Sequence, residues 1–170
     1  QIEREVHRLF PQARVLRMDY DTTRTRESYE QILSAFGNGQ ADILVGTQMI
    51  VKGHDFPDVT LVGIVAADIS LYASDYRAAE RTFQLLTQAV GRAGRGSKAG
   101  EAVIQTYMPE HYSIQTAAKQ DYDAFYEQEI LYRELMGYPP VDEMLGIYLS
   151  GKDLEKLESC AEQLAEWIRN

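Results

Sequence analysis

Gln88-Ala89-Val90-Gly91-Arg92-Ala93-Gly94-Arg95 places two arginines three residues apart, each preceded by a glycine, directly after an amphipathic segment. A guanidinium is planar, permanently charged and able to donate two parallel hydrogen bonds to phosphate oxygens. Glycine lets the backbone turn tightly and approach a ligand closely. The spacing suits two guanidinium groups aimed at one polyphosphate. A solvated basic loop would have the same composition, so the reading depends on what surrounds the segment.

Upstream lies a second punctuated stretch, Gly46-Thr47-Gln48-Met49-Ile50-Val51-Lys52-Gly53-His54-Asp55-Phe56-Pro57. A strand ending in Gly46-Thr47 presents a small backbone and a hydroxyl at the carboxyl edge of a sheet, where open α/β sheets bind ligands. Thr47 and nearby amides suit a phosphate of a nucleic-acid strand. In the loop that follows, Lys52 suits phosphate and Asp55 suits a ribose hydroxyl. Taken alone, the stretch is equally an ordinary strand-to-loop turn.

Working outward, strand and helix signals alternate. Ile2 to Phe10 reads as the end of a helix with Ile2, Val6 and Leu9 on one face, and Ala13 to Met18 as a short strand. Asp21-Thr22-Thr23 reads as a turn and helix start. Tyr29, Ile32, Leu33 and Phe36 then repeat at helical spacing until Gly37-Asn38-Gly39 ends the run. Asp42 to Val45 and Val59 to Ala66 read as strands, the second apolar enough to be covered on both faces. Ala78 to Val90 reads as a helix with Phe83, Leu86 and Val90 inward, and Ala102 to Tyr107 as the next strand. This order predicts an α/β fold, a parallel sheet with helices on both faces.

After Pro109 the character changes. His111 to Met136 reads as one or two helices with an aromatic stripe (Tyr122, Phe125, Tyr126, Ile130, Tyr132 and Leu135). Helical periodicity reads the stripe as packing rather than a base-stacking platform. Gly137-Tyr138-Pro139-Pro140 breaks the pattern and marks a domain boundary, giving a lobe over residues 1–138 and a second domain over 139–170. In the tail, Leu145 to Ser150 reads as a strand. Asp153 to Ile168 reads as a helix capped by Asp153, with Leu154, Leu157, Ala161, Leu164 and Ile168 inward. One strand and one helix cannot close a core, so the tail reads as part of a small α+β domain that is incomplete. The chain opens on Gln1 directly into a helical pattern and reads as a piece of a longer protein.

The net charge of -9 argues at first against a nucleic-acid binder. Its distribution changes that: residues 121–170 hold 12 acidic and 4 basic residues, whereas residues 1–120 hold 14 acidic and 13 basic. Between Arg77 and Lys98 five cations face one anion, Glu80. Anion binding by that stretch is compatible with an acidic whole, because the local field governs it. The acidic tail reads as a solvated helix face. Cys160 is the single cysteine, so neither an internal disulfide nor a cysteine-based zinc site can be built from this chain. His7, His54 and His111 show no metal-ligand spacing. The single cysteine fits a reducing cytoplasmic compartment. No signal peptide or apolar run of membrane-spanning length appears.

The order of strand, GTQ loop, strand and helix, then Gln-x-x-Gly-Arg-x-Gly-Arg at the helix end, resembles motifs V and VI of superfamily 2 helicases. Through DFPDVTLVGIVAAD and DYRAAERTFQLLTQAVGRAGR, with Tyr138-Pro139-Pro140 further on, the chain is similar to the replication-restart helicases of that superfamily, from about Arg14 to Pro140. The resemblance implies a second RecA-like lobe of a 3′→5′ DNA helicase. It matches Arg92 and Arg95 to the arginines that reach the ATP γ-phosphate, with Arg95 the first choice as arginine finger, and Gln88 to the glutamine beside the phosphate and attacking water. Gly53 and Asp55 match positions near the nucleotide and the lobe interface. Thr47, Gln48 and Lys52, with His54 in the same loop, fall on the side facing DNA. Asp68 is a weaker candidate for coupling the two.

ATP with Mg2+ is implied as bound mainly by a first lobe, which would carry the phosphate loop and acidic box that this chain lacks, and zinc only in the parent. The implied partners are forked or single-stranded DNA, single-strand binding protein and primosome proteins. A lobe alone would hold half a nucleotide site and be inactive. Three alternatives stay open at this point. They are another superfamily 2 motor of RecQ-like or DEAH type, a non-catalytic nucleic-acid or partner-binding module, and an unrelated α/β nucleotide-binding domain with a fortuitous Gly-Arg loop.

Overall fold

The strands run in parallel pairs, and a helix lies in the connection within each pair. The computed structural model describes residues 1–51, 56–96 and 98–169. β1 (Val15–Met18) pairs with β2 (Ile43–Gly46), with Val15 opposite Ile43 and Met18 opposite Gly46. β3 (Leu61–Ile64) pairs with β4 (Glu101–Ile104), with Leu61 opposite Glu101. Among the described residues the ladders form two two-stranded sheets, not one continuous sheet. Parallel neighbours need a crossover. The one between β1 and β2 contains α2 (Arg26–Gly37), and that between β3 and β4 contains α3 (Ala78–Val90).

The chain divides into two units, Gln1–Leu131 and Tyr132–Asn170. In the first, α1 (Ile2–Leu9) buries no residue; Ile2 and Leu9, expected inward, are exposed. The helix expected to start at Asp21-Thr22-Thr23 begins later. There the Asp19 carboxylate accepts from the Thr22 amide at 3.1 Å and closes a turn, and Thr25 caps α2 by accepting from the Ser28 amide at 3.1 Å. A side-chain oxygen meeting an otherwise orphan amide is what an N-cap supplies. Leu33 of α2 and Met18 of β1 are buried.

α3 has the bounds its periodicity predicts. Phe83 and Leu86 are buried together with Ala78, Thr82 and Ala89, while Val90 is half-buried. The Thr82 hydroxyl donates to the Ala78 carbonyl at 2.8 Å and shares a hydrogen bond with Ser70 at 2.7 Å, so a hydroxyl with no exposure remains satisfied. α4 (Tyr112–Lys119) packs on α3, and α5 (Tyr122–Met136) begins in the same unit. Ala67, Phe83, Leu86, Ile114, Ala117 and Phe125 form the core here, with the Phe83 and Phe125 rings stacked at 4.1 Å. Of the aromatic stripe only Phe125 is buried; Tyr122, Tyr126, Tyr132 and Leu135 are exposed and Ile130 is half-buried. Packing buries one ring of the stripe, while the exposed Tyr122 still lies against Phe83 at 6.2 Å and Tyr132 against Tyr138 at 6.2 Å.

In the second unit α5 ends at Gly137. The Tyr138 amide donates to the Arg133 carbonyl at 2.9 Å, and the Gly137 amide, at a φ of 63°, approaches the Glu134 carbonyl at 3.4 Å. This is the Schellman pattern. The strand expected over Leu145 to Ser150 does not form, and Leu145 and Tyr148 are exposed. A strand needs a ladder partner, and no other strand occurs among the described residues of this unit. α6 (Leu154–Arg169) follows, with the Asp153 carboxylate approaching the Lys156 amide at 3.3 Å. Leu157 and Leu164 are half-buried, but Leu154, Ala161 and Ile168 are exposed, contrary to their expected inward placement. Among the described residues no helix is long and apolar enough to cross a membrane.

Candidate functional site

The arginine segment hangs from the end of α3. Gln88, on the last turn, is exposed. The Gly91 amide closes the helix on the Thr87 carbonyl at 3.0 Å, and the Arg92 and Ala93 amides continue the turn to Ala89 and Val90 at 3.0 and 3.2 Å. Arg92 is thereby fastened to α3 and is half-buried. Gly94 then takes a φ of 71°, a left-handed conformation, and the chain leaves the helix. Arg95 beyond it is exposed, with its Nε–H donated to the Gly91 carbonyl at 2.6 Å.

The loop that carries Arg95 is gripped at both ends by the run-up to β3. The Gly94 amide donates to the Val59 carbonyl at 3.0 Å, and the Glu101 amide donates to the Thr60 carbonyl at 2.8 Å. At the neck, a Cβ on Gly94 would lie 2.4 Å from the Gly100 nitrogen, and one on Gly96 would lie 2.3 Å from the Pro57 carbonyl oxygen. With approaches this close, a side chain at either position would force the backbone to shift.

The upstream segment starts where β2 ends. A Cβ on Gly46 would lie 2.1 Å from the Met18 carbonyl oxygen and 2.5 Å from Ile50 Cδ1. The chain then turns through a 3₁₀ turn, Gln48–Val51, against which α3 lies. Thr47 and Gln48 are exposed at the carboxyl end of β2, and the Thr47 carbonyl accepts from the Ile50 amide at 3.1 Å. Lys52, Gly53, His54 and Asp55 lie outside the described residues. Phe56 sets its ring edge-on to Phe36 of α2 at 5.0 Å. Pro57 and Val59 then meet the arginine loop, so the two segments singled out in the sequence converge at one place. The backbone partners that join them carry no motif of their own.

Electrostatics reduce the apparent basic stretch. The Asp75 carboxylate pairs with Arg81 at 2.7 Å and accepts from the Arg77 amide at 2.9 Å, with the Arg77 guanidinium at 3.5 Å. That amide bond, helped by both cations, holds the Asp75 carboxyl below the usual carboxylate range. Two of the five cations between Arg77 and Lys98 are thus engaged at the start of α3, away from its Gln88 end. Asp68 is buried, and its carboxylate accepts from the Tyr107 amide at 3.0 Å, which lowers its pKa against the opposing cost of burial. This places Asp68 as a tie between the turn after β3 and the end of β4.

The family described as the helicase conserved C-terminal domain matches residues 2–97, a span that contains both convergent segments and both arginines. The chain belongs to this family. The helicase C-terminal domain is RecA-like, and the parallel βαβ pairs are its elements in this chain. Over 168 residues the chain is 49% identical to replication restart protein PriA of Bacillus subtilis (strain 168), covering 99% of this chain and 21% of that protein. It is 48% identical over 151 residues to PriA of Chlamydia pneumoniae, covering 89% of this chain and 20% of the relative. It is 39% identical over 170 residues to PriA of Haemophilus influenzae, covering 100% of this chain and 23% of the relative. The chain therefore spans about a fifth of the length of these relatives.

Proposed function

We propose that this chain is the second RecA-like lobe, residues 1–138, of an ATP-dependent 3′→5′ DNA helicase that restarts stalled replication forks and initiates primosome assembly, with residues 139–170 beginning its C-terminal domain. The observation that carries the reading is the pair of arginines held at the end of α3, inside a helicase C-terminal domain, beside the segment that leaves β2. Similarity to replication restart proteins across nearly all of this chain supports the restart assignment.

In this reading Arg92 and Arg95 meet the γ-phosphate of ATP bound mainly on a first lobe. Gln88 lies beside the attacking water, and Gly53 and Asp55 line the nucleotide side of the lobe interface. The exposed pair Thr47 and Gln48, with Lys52 and His54, grips the DNA backbone. The two guanidinium groups are of a chemistry that suits anionic phosphate. In the same reading Mg2+ is bound with ATP mainly by the first lobe, and zinc belongs to the parent protein only. Phosphoryl transfer is assisted mainly by positioning and charge stabilisation, and an arginine supplied across an interface contributes ~10³–10⁵ in rate. A phosphate-sensing arginine also makes lobe closure depend on ATP. Closure alternating with release, while both lobes hold the strand backbone, gives directed stepping that is sequence-independent and salt-sensitive. Single-strand binding protein and primosome proteins are the partners, and the cytoplasm the setting.

The test is DNA-stimulated ATPase activity of the full-length protein, comparing wild type with Arg92→Ala and Arg95→Ala, with nucleotide and DNA binding measured in parallel. Loss of turnover with both ligands still bound supports the motor. Turnover that survives both changes makes the segment a basic surface loop and removes the assigned chemistry.

A further inference from the structure

Arg92 and Arg95 are three residues apart, and both approach the end of α3, but their main chains are fastened to different elements. Arg92 continues the hydrogen-bonded turn of α3 through the Ala89 carbonyl. Past Gly94 the main chain belongs instead to the entry of β3. The carbonyls of Val59 and Thr60, adjacent in sequence, accept from the Gly94 and Glu101 amides on either side of the loop. Between these two rungs Gly96 sits against the Pro57 carbonyl with no room for a methyl group. Pro57 follows Phe56, whose ring is seated on Phe36 of α2. The Arg95 backbone is thus carried by a strut running from α2 to β3, and its side chain reaches back to α3 through the Gly91 carbonyl.

We propose that Pro57 and Gly96 are positioning residues for Arg95: their backbone contact sets where Arg95 leaves the β3 entry, so a displacement of Phe56 and Pro57 reaches Arg95 without passing through α3. This rests on the reading of Arg95 as the γ-phosphate arginine and assigns it a different mechanical input from Arg92. Repulsion rises steeply inside van der Waals contact, and the Pro57 oxygen is main chain, so a methyl at position 96 must move the loop itself. Misplacing a catalytic group by ~1 Å costs ~10²-fold in rate.

In the full-length helicase, Gly96→Ala is expected to lower kcat for DNA-stimulated ATP hydrolysis by about 10²-fold, with KM for ATP and affinity for single-stranded DNA nearly unchanged. Pro57→Gly loosens the same seat without adding bulk; it should reduce kcat in the same direction, and it carries the test should Gly96→Ala not fold. In an Arg95→Lys background, Gly96→Ala should cost little more, because groups acting through one another are non-additive. An unchanged kcat in Gly96→Ala and Pro57→Gly, beside an impaired Arg95→Lys, overturns this inference alone. So does a Gly96→Ala loss that persists in full on Arg95→Lys. Full activity of Arg95→Lys and Arg95→Ala overturns the arginine reading beneath it.

Discussion

Arg95 donates its Nε–H to the Gly91 carbonyl at 2.6 Å, so one edge of the guanidinium is held by the end of the helix that precedes it. Because the guanidinium is planar, this bond fixes the orientation of the whole group relative to the end of α3. Lysine has no donor partway along its chain and presents a point charge instead of a planar fork. Arg95→Lys in the full-length protein should therefore retain nucleotide binding and lose most DNA-stimulated turnover, approaching Arg95→Ala, for which the loss is ~10³-fold or more. Steady-state ATPase kinetics at saturating DNA decide this; lysine at near wild-type kcat would mean that charge alone suffices at this position.

Gly46 ends β2 opposite Met18, and the strand closes down so far that a Cβ would meet the Met18 carbonyl oxygen at 2.1 Å. Met18 has no exposed surface and cannot retreat without disturbing β1. Gly46→Ala is expected to destabilise the fold by about 1–3 kcal/mol through overpacking, and Gly46→Val by more. Urea unfolding of the two variants beside wild type measures it. Equal midpoints would show that the β1–β2 edge opens freely. The substitution also shifts Thr47, so weaker single-stranded DNA binding in the full-length protein should accompany the lost stability.

Phe83 shows what was legible in the sequence. Its place on the inner face of α3 follows from spacing with Leu86, and the bounds of α3 follow from the same run. The short strands were legible too, as apolar stretches between turn residues, three of them longer on paper than their ladders and the one at Asp42 shifted by a residue. Features that depend on long-range contacts were not legible. Ala66 adopts a φ of 53° after β3, a left-handed turn without the glycine that usually signals one, because Gln105 accepts the Ala66 amide through its side chain at 2.6 Å and the Ala67 amide through its carbonyl at 3.0 Å. Leu145 to Ser150 has strand composition and no strand, because composition supplies no partner. The arginines could be picked out by motif. The Val59 and Thr60 carbonyls that seat their loop could not, since a main-chain acceptor leaves no trace in residue type.

The core under α3 gives a direct measure of that packing. Phe83 is stacked on Phe125 at 4.1 Å and both are buried beside Leu86, Ile114 and Ala117. Phe83→Ala removes the ring and leaves a void that the two helices can only partly close, for an expected loss of about 3–5 kcal/mol. Phe83→Leu retains most of the volume and should cost distinctly less. Thermal melting of both variants separates the outcomes, and equal losses would show that the ring stacking, not the filled volume, is what matters.

Asp42 and Arg14 predict an acid limb of stability. The Arg14 guanidinium donates from Nε at 3.0 Å and from Nη2 at 2.7 Å to the two carboxylate oxygens, and the Arg14 amide adds a bond at 2.8 Å. These bonds, the guanidinium first, hold the Asp42 carboxyl down at about 2. An unfolded aspartate titrates near ~3.9. A group whose pKa is depressed in the folded state contributes stability that is fully present above the unfolded value and is lost as pH falls toward the folded one. The contribution of Asp42 should therefore be constant at neutral pH and disappear between about pH 4 and pH 2. The pair is exposed, so the effect is modest and shrinks with added salt. Melting temperatures measured across that window for wild type and Asp42→Asn should converge as the pH drops. Curves that stay parallel down to pH 2 would mean that Arg14 does not hold the carboxylate in solution.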